Sequence, residues 1–411
     1  MPIGATVGVF FAGFLQDFLG RRRSLILSCI LYIGAVIVSY TADSFTQLAV
    51  GRVLTGLTIG VFSSTVPMFI AELSPPAVRG SLVTVNQVCI CSGILLGYGA
   101  TKALTPKWRI EFIAGVPLAG ILLLAFIFIT PYSPRWLMTK DREEEAREIL
   151  IRIRGGDVAV AEAELESIRT AIGITRASNP YVKLREPHVV WAVAIGVMAA
   201  TMQQWCGVNA VNAYAQDIFI SAGATKSAAA TDAIYIGVAK LGFVIVALIL
   251  MDRVGRKPLL LAGCAGMAIS LLGLGLALQL APNPMPSSTG LIATVALVLF
   301  MAFFEISLGP VLWLLLSELY PVQVKGIAMS IGSTTCWFFT YMVTQTFLPM
   351  KQTMGIGGVF FFYAVFCVFC FGWILRYVPE TKGRSLEEIE DLLREQMGPE
   401  YVAKTKKEGT V

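Results

Sequence analysis

Asp17-Phe18-Leu19-Gly20-Arg21-Arg22 returns later in the chain as Asp252-Arg253-Val254-Gly255-Arg256-Lys257. A second block behaves the same way. Glu72-Leu73-Ser74-Pro75-Pro76-Ala77-Val78-Arg79-Gly80 returns as Glu318-Leu319-Tyr320-Pro321-Val322-Gln323-Val324-Lys325-Gly326. The spacing inside each block is kept, and both blocks are displaced along the chain by nearly the same distance. Self-similarity on this scale means two units built on one plan. Each block lies between long apolar runs, so the repeated unit is a group of membrane spans. Paired halves of this kind are a transporter architecture, with the substrate site between them near the bilayer midplane.

The composition outside the repeats agrees. Of 411 residues, 56% are hydrophobic and 14% charged, against roughly 25% charged in a soluble domain. The mean hydropathy is +0.72. A chain this apolar needs lipid around most of its helices, each about 20 residues long. Eleven stretches qualify: 3–19, 24–41, 47–70, 82–101, 110–130, 188–220, 231–251, 258–280, 290–317, 326–348 and 357–377. The predicted fold class is an all-α membrane protein of about 11 transmembrane helices in two pseudo-symmetric bundles. The bundles are expected over 1–130 and 187–378, with a cytoplasmic helical linker at 131–186 and a cytoplasmic tail at 379–411. The opening MPIGATVGVFFAGFL has no basic n-region and no cleavage site, so it reads as a span.

Basic residues set the orientation. Arg21, Arg22, Arg23, Arg79, Arg135, the 140–185 stretch, Arg253, Arg256, Lys257, Lys325 and the tail all fall on alternate loops. The positive-inside rule makes that side cytoplasmic. The net charge of +5 is therefore a topology signal and not a nucleic-acid footprint, since no single face gathers it. In the linker, Ala146, Ile149, Leu150 and Ile153 recur at helical spacing, which predicts helices that pack on something.

Enzyme chemistry is not expected. There is no phosphate-binding G-x-x-x-x-G-K-[ST] loop, no Ser/His or Cys/His arrangement, and a single histidine, His188. That histidine stands at a span entrance and reads as solvated or satisfied. The cysteines fall in apolar spans and imply no disulfide framework. Cys367 and Cys370 form a C-x-x-C, expected on a lipid-facing helix and there for packing. No cofactor or metal is called for.

The polar residues inside the spans point to a ligand. Gln203, Gln204, Asn209, Asn212 and Gln216 share one span, the last three at i, i+3 and i+7 on one helical face. Sugar hydroxyls both donate and accept, and neutral amides match both roles. Gly207 lies between the two amide groups and lets the helix bend. Arg52, Lys240 and Glu305 are ionisable and appear inside spans, so each should face the interior and find a partner. Lys240 leaves two readings open. It makes a cavity basic and suited to an acidic polyol such as quinate, or it pairs structurally with Glu305. At the cytoplasmic ends, Asp17, Glu72, Asp252 and Glu318 stand near Arg21, Arg22, Arg79, Arg135, Arg256 and Lys325. Ion pairs between the halves are expected to close the inner mouth.

In sequence order, these motifs resemble the sugar porter family of the major facilitator superfamily over nearly the whole chain. The resemblance is carried by Gly13-Phe-Leu-Gln-Asp17-Phe-Leu-Gly20-Arg21-Arg22, Gly51-Arg52, Pro67-Met-Phe-Ile-Ala-Glu72 and Arg79-Gly80. It continues in Pro131-Tyr-Ser-Pro-Arg135-Trp-Leu, Gln203-Gln204-Trp-Cys-Gly207-Val-Asn209, Gly309-Pro310-Val-Leu-Trp313 through Glu318, and Pro379-Glu380-Thr-Lys-Gly383. The resemblance implies Gln203, Gln204, Asn209 and Gln87 as ligands of sugar hydroxyls, and Trp313 as a ring against the sugar's C–H face. It implies transport of a hexose or pentose, alone or with a proton, by a carrier expected to be monomeric in the plasma membrane. The family has twelve spans, and this chain begins at what would be the second. Tyr132 replaces the family's usual acid, Cys336 and Thr340 stand where asparagines are usual, and Lys240 replaces a frequent asparagine. A sugar sensor and a truncated, transport-dead isoform are the other expectations for such a chain.

Overall fold

In the computed structural model, the described residues are all of 1–411 except 76–78, 105–106, 178–179, 282–286, 322, 385, 399–400 and 402–411. Among them there are helices and no strands. In lipid, backbone N–H and C=O groups have no water to bond, so a spanning segment satisfies them within its own helix. The chain divides into two compact units. One holds Met1–Asn86, Leu104–Lys183 and Val322–Phe338; the other holds Gln87–Ala103, Leu184–Pro321 and Phe339–Val411.

The first unit opens with α1 (Pro2–Leu19), α2 (Arg21–Tyr40) and α3 (Phe45–Leu73), followed by the start of α4 (Arg79–Leu104). Helix α1 turns Phe10, Phe14 and Phe18 outward, where the bilayer is their solvent. Its other face meets α3 through small residues. A Cβ on Gly8 would lie 2.1 Å from the Leu57 carbonyl oxygen, and one on Gly60 would lie 2.2 Å from that of Ala5. Gly4 and Gly56 are equally confined. The two backbones touch, as small-xxx-small helix pairs do in membranes.

Next come α5 (Trp108–Ile113) and α6 (Val116–Phe128). Arg22 donates to the carbonyls of Phe126 at 2.8 Å and Ile127, two acceptors that a helix end leaves without intrahelical partners. The polar stretch that follows forms α7 (Pro134–Thr139), α8 (Glu143–Ile153), α9 (Val158–Ala177) and α10 (Pro180–Lys183), and the predicted apolar spacing falls on α8. Ala146 and Leu150 are buried with Trp136, Leu137, Ala161 and Leu165, and Ile149 and Ile153 pack against them. Arg154 fastens this small core to α3. It donates to the Leu73 carbonyl at 3.0 Å while its guanidinium makes a two-point bond to Glu164 at 2.8 and 2.9 Å.

The second unit contains α11 (Pro187–Trp205), α12 (Val208–Ser221), α13 (Lys226–Val254), α14 (Arg256–Leu280), α15 (Ser287–Ile306), α16 (Leu308–Leu319), most of α17 (Lys325–Tyr377) and α18 (Leu386–Gln396). Among the described residues, ten helical stretches are long and apolar enough to cross a membrane, against eleven predicted. The difference lies in α17. The spans expected at 326–348 and 357–377 run on as one 53-residue helix, interrupted at Gly355 with φ 71. At 1.5 Å per residue such a helix is far longer than the roughly 30 Å hydrocarbon core, so the break at Gly355 makes two spans of it.

Helix α18 docks on α11. His188 is 1% exposed. Its Nδ1 meets the Tyr401 hydroxyl and its Nε2 the Glu390 carboxylate, both at 2.9 Å. Trp191 donates to Gln396 at 2.9 Å. The histidine is thus satisfied, as its sequence context suggested. Cys367 and Cys370 differ from expectation. Both are fully buried, so this stretch of α17 turns its thiols into the bundle and not toward lipid.

Candidate functional site

The amides gather in the second unit. Helix α11 ends at Trp205 and α12 begins at Val208, with Gly207 between them at φ 93. A side chain is strained in that left-handed region, and a Cβ there would also strike the Tyr363 ring at 2.5 Å. The glycine therefore lets the span bend, as predicted, and the bend brings the amides on either side of it together.

They form a directed chain. Asn209 donates through Nδ2 to Gln204 Oε1, and to Thr340 Oγ1 at 3.2 Å. Thr340 donates to the same Gln204 oxygen at 3.0 Å. Gln204 donates to Gln203 Oε1 at 2.8 Å. Gln203 ends the chain on the carbonyls of Leu308 and Gly309 at 2.8 and 3.2 Å. Both carbonyls belong to the first turn of α16, just after the helix breaks at Ser307, whose φ and ψ are −121 and −100. Pro310, three residues on, has no N–H for the turn before it. The break between α15 and α16 thus lies at Ser307. Gln203 and Gln204 are buried, so the amides face into the protein.

Asn212 contributes differently. Its carbonyl oxygen accepts from the Tyr98 hydroxyl at 3.1 Å, while its side-chain Oδ1 is buried without a partner. The unbroken face expected from Asn209 to Gln216 is interrupted at Tyr214, with φ −120. Tyr214 stacks on Phe347 with ring centres 4.8 Å apart and donates to the Thr344 carbonyl. Trp313 is half-buried on α16.

A charged pair completes the cluster. Lys240 Nζ lies 2.5 Å from Glu305 Oε1, and the two side chains are 3% and 0% exposed. Gln87 Nε2 reaches Glu305 Oε2 at 3.5 Å, at the outer limit of a hydrogen bond. The Phe304 ring centre lies 5.5 Å from the ammonium. Of the two readings left open for Lys240, the pair with Glu305 is present. Arg52, in the first unit, has no carboxylate within ion-pair distance among the described residues. Its guanidinium meets Met1 Sδ at 3.1 Å and the Phe112 ring at 4.7 Å.

The repeated motifs also repeat as geometry. In the first unit Arg21 binds Glu72 at 2.9 Å, and Glu72 accepts from the Ser133 hydroxyl. In the second, Arg256 binds Glu318 at 2.8 Å, and Glu318 accepts from the Thr381 hydroxyl. Glu380 accepts from the backbone N–H groups of Arg256 and Lys257, both at 3.0 Å. The described ion pairs of these motifs each close within one unit. Asp17 is largely exposed and 3.5 Å from Arg21. Arg22 lies over the Tyr132 ring at 4.7 Å, where the family's acid is replaced. Arg135 is exposed and Lys325 half-buried. Arg79 opens α4 and Asp252 lies near the end of α13, but their side chains fall outside the described residues. Sequence reasoning missed Tyr98, Ser133 and Thr381. Ser133 and Thr381 lie in the quoted Pro-Tyr-Ser-Pro-Arg and Pro-Glu-Thr motifs, which was the one signal for them.

Known proteins share this architecture. The profile of the family described as "Sugar (and other) transporter" matches residues 1–393. The glucose transporter GlcP of Staphylococcus epidermidis is 34% identical over 402 residues, covering 97% of this chain and 88% of that protein. The D-xylose-proton symporter of Escherichia coli K12 is 31% identical over 424 residues, covering 95% and 84%. Human solute carrier family 2, facilitated glucose transporter member 6, is 32% identical over 415 residues, covering 95% and 81%. A solved structure of the proton:xylose symporter XylE bound to 6-bromo-6-deoxy-D-glucose matches with a TM-score of 0.80 at 30% identity, covering 95% of this chain and 87% of that one.

Proposed function

The chain belongs to the sugar (and other) transporter family of the major facilitator superfamily, membrane carriers and not enzymes, and from that premise we propose that it carries a hexose or pentose across the membrane by alternating access. One observation carries the proposal: the chain of carboxamides from Asn209 through Gln204 and Gln203 to the carbonyls of 308–309. Each link has a donor and an acceptor that a sugar hydroxyl can replace. Gln87, Asn212 and Trp313 complete the binding set. Lys240 and Glu305 cancel each other's charge, which suits an uncharged substrate. Relatives named for glucose, xylose and arabinose support the substrate class, and those named as proton symporters support coupling to a proton.

The carrier works as a monomer in the plasma membrane, its C-terminal tail cytoplasmic. Bundles at 1–130 and 187–378 rock about the site, joined by the linker at 131–186. The Arg21–Glu72 and Arg256–Glu318 pairs, with Asp17, Arg22, Arg79, Arg135, Asp252 and Lys325, bias that motion at the cytoplasmic ends, because a charge network on a movable element shifts a two-state equilibrium.

Purified protein in liposomes should take up labelled glucose, xylose or arabinose saturably, and a proton gradient should speed that uptake. Gln204→Ala should lower uptake about 10- to 100-fold, since it leaves Asn209, Thr340 and Gln203 without their shared partner at about 1–3 kcal/mol. No saturable uptake above empty liposomes for any of the three sugars would end the proposal.

A further inference from the structure

The Lys240–Glu305 pair has chemistry that a neutral sugar does not use. We infer that it is a carboxylate-exchange site, through which the chain also carries an acidic monosaccharide, of the hexuronate class, together with one proton. The inference rests on the transport reading of the same site.

The pair is buried on helices α13 and α15, and its ammonium faces one carboxylate oxygen at 2.5 Å. Around it, α4 presents the Gln87 amide and the buried Cys91 thiol, which lies within hydrogen-bonding reach of Glu305. Helix α15 adds the Phe304 ring. The α11–α12 junction adds the Cys206 thiol, near Lys240. Helix α16 brings Gly309 close behind Glu305 Oε2. Among the described residues, no second carboxylate and no second cation stands beside the pair.

That inventory fixes what each partner can exchange for. Lys240 is an ammonium on a flexible stem that pairs with any carboxylate in reach. An unpaired ammonium in the bundle is costly, so Glu305 leaves it only when another anion arrives. If Glu305 takes a proton from water, it becomes a neutral acid and stops competing. The ammonium then accepts the substrate carboxylate, and the amides bind the ring hydroxyls as they would those of a neutral sugar. Release on the other side reverses each step: the substrate departs as its anion, Glu305 gives up its proton and rejoins Lys240. One proton and one negative charge cross together, so the cycle is electroneutral.

The experiment compares labelled glucuronate with labelled glucose and xylose in the same liposomes, at external pH 5.5 and 7.5, with a pH-sensitive dye trapped inside and empty liposomes subtracted. Wild-type protein should take up glucuronate at least roughly tenfold faster at the acid pH, because two pH units change the protonated fraction of one group up to a hundredfold. The lumen should acidify as glucuronate enters. Glu305→Gln, a mimic of the protonated acid, should lose that pH dependence and move glucuronate without protons. Lys240→Asn should move no glucuronate at either pH. If neutral sugar enters wild-type liposomes while glucuronate does not at either pH, the inference falls and the transport reading stands. It falls equally if glucuronate enters without protons, or if Lys240→Asn keeps pH-dependent glucuronate uptake. If no substrate of either kind enters, both fall. The wild-type comparison decides the matter even where a variant fails to fold.

Discussion

Glu380 holds together the start of α14 and the segment after α17. It accepts from the backbone N–H groups of Arg256, Lys257 and Lys382. Partial burial pushes its carboxyl up, but these backbone donors together hold it below the ordinary value of 4.5. A carboxyl depressed by folding adds stability above its unfolded value and loses it as the pH falls through the folded one. Melting in detergent should therefore separate wild type from Glu380→Gln most clearly at neutral pH, and the gap should close below about pH 4.5. A gap that persists unchanged at pH 3 would show that the carboxylate's charge contributes nothing. At this scale the sequence was legible where the residue type is expensive. Gln203, Gln204, Asn209, Lys240 and Glu305 are conspicuous in hydrocarbon, and the structure brings them together. Thr340, Ser133 and Thr381 were not read as partners. Hydroxyls in helices and turns usually bond a carbonyl nearby, so their presence in an apolar run carries no warning.

Helices α1 and α3 show what element boundaries alone miss. Their contact depends on glycines whose absent side chains let carbonyl oxygens sit where a Cβ would be. Gly60→Leu would drive a branched side chain into the Ala5 carbonyl. Overpacking typically costs about 1–3 kcal/mol, and backbone cannot swing aside as a side chain can, so the upper end is expected. A fall in melting temperature and in monodisperse yield would record it, and an unchanged melt would mean that the helices part without cost. The linker helices were readable, because the apolar spacing at Ala146, Ile149, Leu150 and Ile153 matches the core they form. The breaks were readable only in part. Gly207 announced its bend, whereas the run of helix to Gly355 did not, since the predicted gap at 349–356 contains Pro349, which the helix carries inside it.

For the whole molecule, the repeat visible in fifteen residues of each copy reappears as matched Arg–Glu–hydroxyl triplets, one per unit. The proposed binding set does not repeat. Gln87, Gln203, Gln204, Asn209, Asn212, Lys240, Glu305 and Trp313 all belong to the same unit, because the stretch from Gln87 to Ala103 is grouped with the later part of the chain. On the proposed function the duplicate scaffolds are put to unlike uses, and cargo choice becomes a portable property. A hybrid that takes 87–103, 184–321 and 339–411 from this chain and the remainder from a relative should inherit this chain's order of preference among sugars, whatever speed the borrowed parts give it. Competition uptake across a panel of sugars would reveal a hybrid that ranks them as its other parent does, and selectivity would then have to be written across both ancestral copies.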